Sequence, residues 1–250
     1  MIIALTASVF SFAACKKNEP ENKETTTEAE YTKNTTGEAV EIAKLPETLS
    51  DRVEMLNSAL DYVDVYCYKY TKSVNCTVNS INVGSLSAAS NAADAFKSIF
   101  GNADSKTEYN YETAPESFAA NFIDKRFGIN DISSADVKQE GQNIILTVKF
   151  PDEYNPSETE SLIGRISSEF VSSAKITKSL GEFSSSAGSV NVSASAITAV
   201  ATVNAHDSSL QKLVVSYNQN FSLGNVKLVQ LEGSSVTASS KTVITYSNIG

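Results

Sequence analysis

The spacing of apolar residues changes period twice along the chain. Val53, Leu56, Leu60, Val63 and Cys67 recur at steps of three and four, which places them on one face of an amphipathic helix. Thr48 or Ser50 supplies its N-cap. The stretch Tyr66-Cys67-Tyr68-Lys69-Tyr70 then alternates, so the helix either frays there or hands over to a strand. A second helical pattern runs from Ala88 to Phe100 and is closed by Gly101. Further on the period falls to two. Ile144, Leu146, Val148 and Phe150 alternate with more polar neighbours after the turn signal Glu140-Gly141-Gln142-Asn143, which pairs Ala135–Gln139 with Asn143–Phe150 in a hairpin. Asn155-Pro156-Ser157 predicts the start of a helix reaching Glu169. Val190 to Asn204 is a long β-rich run, and the turn Ala205-His206-Asp207-Ser208-Ser209 leads to Leu213, Val215, Tyr217, Phe221 and Leu223 on one face. Val226–Leu231 and Val236–Ser247 complete the predicted meander. Early helices and late antiparallel strands predict an α+β fold: a curved, mostly antiparallel sheet packed against a few helices, preceded by a disordered tether.

The chain opens differently. Ile2 to Ala14 is predominantly apolar over 13 residues, too short for a bilayer-spanning helix, which needs about 20. Its length is that of a signal-peptide core. The run ends Phe12-Ala13-Ala14-Cys15, which resembles the lipobox of bacterial lipoproteins. That resemblance implies that residues 1–14 are a signal peptide and that Cys15 becomes the lipidated first residue of the mature chain, carrying acyl groups such as palmitate. It implies a protein anchored in the cell membrane and facing outside the cytoplasm. The chain departs from the pattern in having Phe12 where Leu is usual, and no Lys or Arg before the apolar run. Lys16 to Lys44 is rich in Glu, Lys, Thr and Asn and has too little apolar surface to offset its ordering entropy. Residues 15–45 therefore read as lipid anchor and disordered linker, with a root-mean-square reach of about 30 Å, and residues 46–250 as a single globular domain. Leu45-Pro46-Glu47-Thr48 resembles the start of a sortase signal, but Leu49 stands where Gly belongs, and Pro46 before a helix explains the segment.

Composition narrows the partners. A net charge of -9 and a pI near 4.8 oppose nucleic-acid binding, which needs clustered Lys and Arg. The strand–turn–strand rhythm of residues 130–248 resembles the half-barrels of lipoprotein carriers, and also uncharacterised lipoproteins of gut clostridia. The first resemblance implies an alternative role, carrying or chaperoning an apolar ligand in a half-barrel cavity.

Residues suited to chemistry are few. His206 is the sole histidine and stands beside Asp207 and Ser208, whereas a hydrolytic triad is assembled from separated segments. There is no phosphate loop, nucleophile elbow or zinc motif, so neither a cofactor nor a metal is expected, and the chain reads as non-enzymatic. Cys67 and Cys76 form a disulfide in an oxidising compartment or pack as two separate thiols. Tyr66, Tyr68 and Tyr70, with Tyr62, Tyr109 and Tyr111 nearby, form an aromatic face for an envelope glycan or peptide, or else pack in the sheet. Asp152, Glu153, Glu158 and Glu160 make an acidic cluster without the alternating oxygen ligands of a calcium loop, read as a solvated rim. The sequence thus predicts a binding or structural module of the cell envelope.

Overall fold

A computed structural model of the 250-residue chain describes residues 31–33, 39–41, 44–84, 92–101, 104–123, 126–182, 185–228 and 231–250. Cys15 and the signal-peptide segment lie outside the described residues. Within the predicted tether, Tyr31–Lys33 (β1) pairs antiparallel with Ala39–Glu41 (β2). Tyr31, Thr32 and Val40 have the β-branched and aromatic character that favours strands.

The body begins with α1 (Leu49–Tyr66). Thr48 Oγ1 accepts from Asp51 N, and Asp51 Oδ2 accepts from Thr48 N, both at 3.1 Å. This reciprocal box satisfies two backbone donors that the first turn leaves open. The helix buries Val53, Leu56, Ala59, Leu60 and Val63, the face its spacing predicts. Cys67 closes it by donating its N–H to Val63 O. The chain then enters β3 (Lys69–Asn82), followed by α2 (Ala92–Phe100), β4 (Ser105–Asn110) and α3 (Pro115–Asn121). After a 3-10 turn at Ile129–Asp131 come β5 (Ser134–Glu140), β6 (Asn143–Lys149) and β7 (Glu153–Tyr154). Then follow α4 (Leu162–Ile166), α5 (Ser173–Glu182), β8 (Ser185–Ser186), β9 (Ser189–Asn204), β10 (Leu210–Leu228) and β11 (Leu231–Ser247).

Nine of these strands form one open antiparallel sheet in the order β4-β3-β11-β10-β9-β6-β5, with β7 on β9 and β8 on β10. The fold is α+β, with a curved sheet whose buried face carries the helices. The β5–β6 hairpin turns at Gly141, where φ is +60°, a conformation that glycine adopts without a Cβ penalty. On β9 the buried residues are Val192 and Ala194, then Ile197, Ala199, Ala201 and Val203. The parity switches at Ala196, a residue with φ +51° where the β9–β10 register shifts. One extra residue there turns the rest of the strand by one step. Asp152 Oδ1 accepts from the displaced Ala196 N at 3.1 Å. The opposite face is rich in Ser, Thr and Asn, as on Thr198, Ser216 and Asn218, and is partly exposed, so the sheet has one dry and one wet side.

Two expectations are corrected, and one helix is added. The predicted helix from Ser157 to Glu169 is only α4, five residues long. Ser157 Oγ accepts from Glu160 N and Ser161 N, and Ser161 Oγ from Gly164 N. These side chains offer the backbone local partners that compete with helix. The helix the pattern missed is α5, whose polar sequence buries only Ile176 and Leu180. Finally, Val226–Leu231 is not a separate strand: Leu228 ends β10 and Leu231 begins β11.

Candidate functional site

The buried face of the sheet is not uniformly apolar. Running across β3, β11 and β10 are Lys72, Thr242, Ser240, Tyr217 and Gln219, all buried. They receive the non-helical segment between α4 and α5. Tyr217 Oη and Ser167 Oγ share a hydrogen bond of 3.0 Å. Gln219 accepts from Val171 N at 3.3 Å and donates to Val171 O at 3.0 Å, so one side-chain amide replaces the strand partner that this backbone lacks. Asn57 of α1 holds Phe127 N and O in the same way, both at 2.9 Å. Lys72 donates to Glu169 Oε1 at 2.8 Å and Ser168 Oγ at 3.1 Å.

Beside this polar layer opens a cleft of about 420 Å³, within the size range of small-molecule sites. One wall is the end of α3 and the residue after it, with Asn121 and Phe122. The other is built from α4 and the following segment, with Arg165, Ile166, Ser168 and Phe170. Lys175 of α5, Glu158 and Tyr246 of β11 complete the lining. Each is positioned by local chemistry. Glu153 carboxylate oxygens accept from Leu162 N and Ile163 N at 2.9 and 2.7 Å, fixing the start of α4 and so the placement of Arg165. Gly164 lets α4 approach the preceding loop: a Cβ there would lie 2.4 Å from Ser157 O. Lys175 Nζ donates to Phe170 O at 2.7 Å and Ser168 O at 3.1 Å. Glu158 accepts from Ser172 Oγ, and Ser172 Oγ in turn accepts from Lys175 N at 3.0 Å.

Two cleft residues keep unused hydrogen-bonding groups. Tyr246 is only 2% exposed, its ring against Phe122 and Tyr70 at centroid distances of 4.8 and 5.8 Å. Its hydroxyl has no hydrogen-bond partner among the described residues. Burial pushes that phenol far above its ordinary pKa, with nearby Tyr70 and Glu169 adding to the shift, so it remains a donor at physiological pH. Arg165 has Nη2 3.3 Å from Asp131 Oδ1, while its buried Nε has no partner.

The residues singled out in the sequence fall elsewhere. Tyr66 and Tyr68 are 63% and 62% exposed, but Tyr70 is 0% exposed, which corrects the three-tyrosine face. Tyr68 precedes β3, whereas Tyr70 shares the inward register of Lys72 and Val74, donates to Phe118 O at 2.8 Å and stacks on Tyr109. Cys67 and Cys76 are both free thiols. Cys67 caps α1, and Cys76 lies seven residues into β3; at about 3.3 Å per residue the strand separates them by roughly 20 Å, far beyond the 7 Å or so that a bridge allows. The predicted proximity is therefore corrected. The acidic residues are backbone and hydroxyl acceptors, as described for Asp152, Glu153 and Glu158, and no metal-holding group of His, Cys, Asp or Glu occurs among the described residues. His206 sits exposed in the β9–β10 turn, away from the cleft lining. Phe100, Phe170, Phe221, Leu146 and Tyr217 are all buried in the core.

Sequence reasoning missed Tyr246, Arg165 and Lys175. The available signal was Lys72, a charge at an inward position between Tyr70 and Val74, which marks a polar layer inside the core. No known protein family matches the chain, nor does any curated protein or solved structure. Among the described residues no helix is long and apolar enough to cross a membrane.

Proposed function

We propose that this chain is a membrane-tethered, extracytoplasmic binding module of the cell envelope that captures a small polar ligand without chemical conversion. The observation that carries the binding role is the cleft, whose lining includes Tyr246, a residue without a hydrogen-bond partner for its hydroxyl among the described residues. A hydroxyl at a cleft that no protein group engages is free to meet a ligand. The tether rests on Phe12-Ala13-Ala14-Cys15 and the polar segment after it; two or more acyl chains give stable anchoring.

Each half has its own test. Cys15→Ala is expected to move the protein from the membrane fraction to the soluble one; unchanged retention sinks the anchor. Adding the dialysable small-molecule fraction of cell envelope to the full chain is expected to raise its melting temperature, as any ligand of the native state does. Turnover of the bound compound, followed by mass spectrometry, would replace the binding role with catalysis.

A further inference from the structure

Resting on that reading of the cleft, we propose that its ligand is a small monocarboxylate with an apolar body, held by Tyr246, Arg165 and Lys175. The open groups on the lining set the chemistry. Tyr246 offers an unpartnered hydroxyl, and Arg165 an unpartnered Nε–H. Lys175 uses two of its three ammonium hydrogens on the carbonyls of Ser168 and Phe170, and no carboxylate pairs with it among the described residues. Its charge is therefore held by dipoles alone, in a chain with 29 acidic residues against 20 basic ones. Donors in surplus, one of them an uncompensated cation, call for an acceptor that carries negative charge.

The shape of that acceptor follows from the same residues. A guanidinium presents planar, forked donors that match a carboxylate. Arg165 Nε is buried and Nη2 faces Asp131 Oδ1 at 3.3 Å, so the carboxylate meets the guanidinium after it rotates away from Asp131. Glu158 also lines the cleft, and its repulsion acts on a dianion such as phosphate about twice as strongly as on a monoanion. The rings of Phe122 and Phe170 and the side chain of Ile166 provide the apolar contact for the rest of the ligand. At 420 Å³ the space equals about fourteen water volumes, enough for a compound of amino-acid size and too little for a folded peptide.

The test uses the full chain carrying Cys15→Ala, titrated calorimetrically with 3-phenylpropanoate, its uncharged amide and inorganic phosphate. The carboxylate is expected to bind about tenfold more tightly than the amide, the usual gain of a charge-assisted hydrogen bond over a neutral one, and more tightly than phosphate. Tyr246→Phe, which removes one oxygen and leaves the ring packing intact, is expected to weaken the carboxylate about fivefold; Arg165→Gln and Lys175→Gln are each expected to weaken it about tenfold. An amide that binds as tightly, or phosphate that binds more tightly, overturns the carboxylate assignment and leaves a binding cleft in place. Carboxylate binding that none of the three variants changes overturns the site. Absence of binding by all three probes up to about 20 mM, well past the weakest useful affinity, overturns the ligand class; if the envelope fraction also leaves the melting temperature unmoved, the binding reading falls with it.

Discussion

Tyr217 and Tyr246 stand on neighbouring strands of the same sheet face, and their surroundings differ in one respect. Tyr217 belongs to a polar layer in which it and Gln219 give the α4–α5 connection its hydrogen bonds. Tyr246 is as deeply buried and packs against the rings of Phe122 and Tyr70, yet its hydroxyl has no hydrogen-bond partner among the described residues. The first arrangement converts polar side chains into fold stability. The second leaves a hydroxyl unspent beside a cleft, where an outside molecule can use it. A polar residue in a core therefore has to be judged by its partners and not by its burial.

The largest expected effect comes from alkali. Burial raises the phenol pKa of Tyr70, Tyr217 and Tyr246, so the unfolded chain loses these protons at a lower pH than the folded one. Their contribution is fully present below about pH 10, the unfolded value, and declines as pH rises beyond it. Circular dichroism and phenolate absorbance are expected to change together above that pH for this group of residues. A phenolate that appears first, with the sheet intact, and disappears in Tyr246→Phe would mean that hydroxide enters the cleft and that Tyr246 is less sealed than its ring contacts imply.

Next in size is Gln219→Ala. It leaves Val171 N–H and C=O unpaired in the core and opens a void, at a cost of about 2–4 kcal/mol, measurable as a lower urea midpoint. Tyr217→Phe removes the hydroxyl that bonds Ser167 and Thr242 and is expected to cost about 1 kcal/mol. Tyr246→Phe removes a hydroxyl that holds nothing, so its midpoint is expected to stay within about 0.5 kcal/mol of the parent or rise. If Tyr246→Phe destabilises as much as Tyr217→Phe, the contrast between the two tyrosines is lost.

These two regions also differ in how far the sequence disclosed them. The strands around Tyr217 were legible because alternation at Leu213, Val215, Tyr217, Phe221 and Leu223 is a local property, and each of those residues is buried. The α1 face was legible for the same reason. The cleft was not, because its walls come from α3, α4, α5 and β11, and nothing local links Asn121 to Tyr246. Segment 155–172 was misread because its serines hydrogen-bond to nearby backbone, and helical spacing says nothing of that competition. Tyr70 was misplaced because a run of alternating tyrosines does not state where the strand begins. Lys72 carried a signal that went unread: a charge in an inward register reports a distant partner, though not that the partner is Glu169.

The position of β11 has a consequence for how the chain acquires its structure. It follows every other strand in sequence yet lies inside the sheet, between β3 and β10, pairing Lys72 with Tyr246 across about 170 residues. Until β11 is made, β3 and β10 both present open edges, and an open edge is a template for another chain. A molecule in which β11 has not yet paired is therefore the form most exposed to misassembly. Loss of a short stretch around residues 236–246 would split the sheet in two, where loss of a similar length from the rim strand β4 would only trim it.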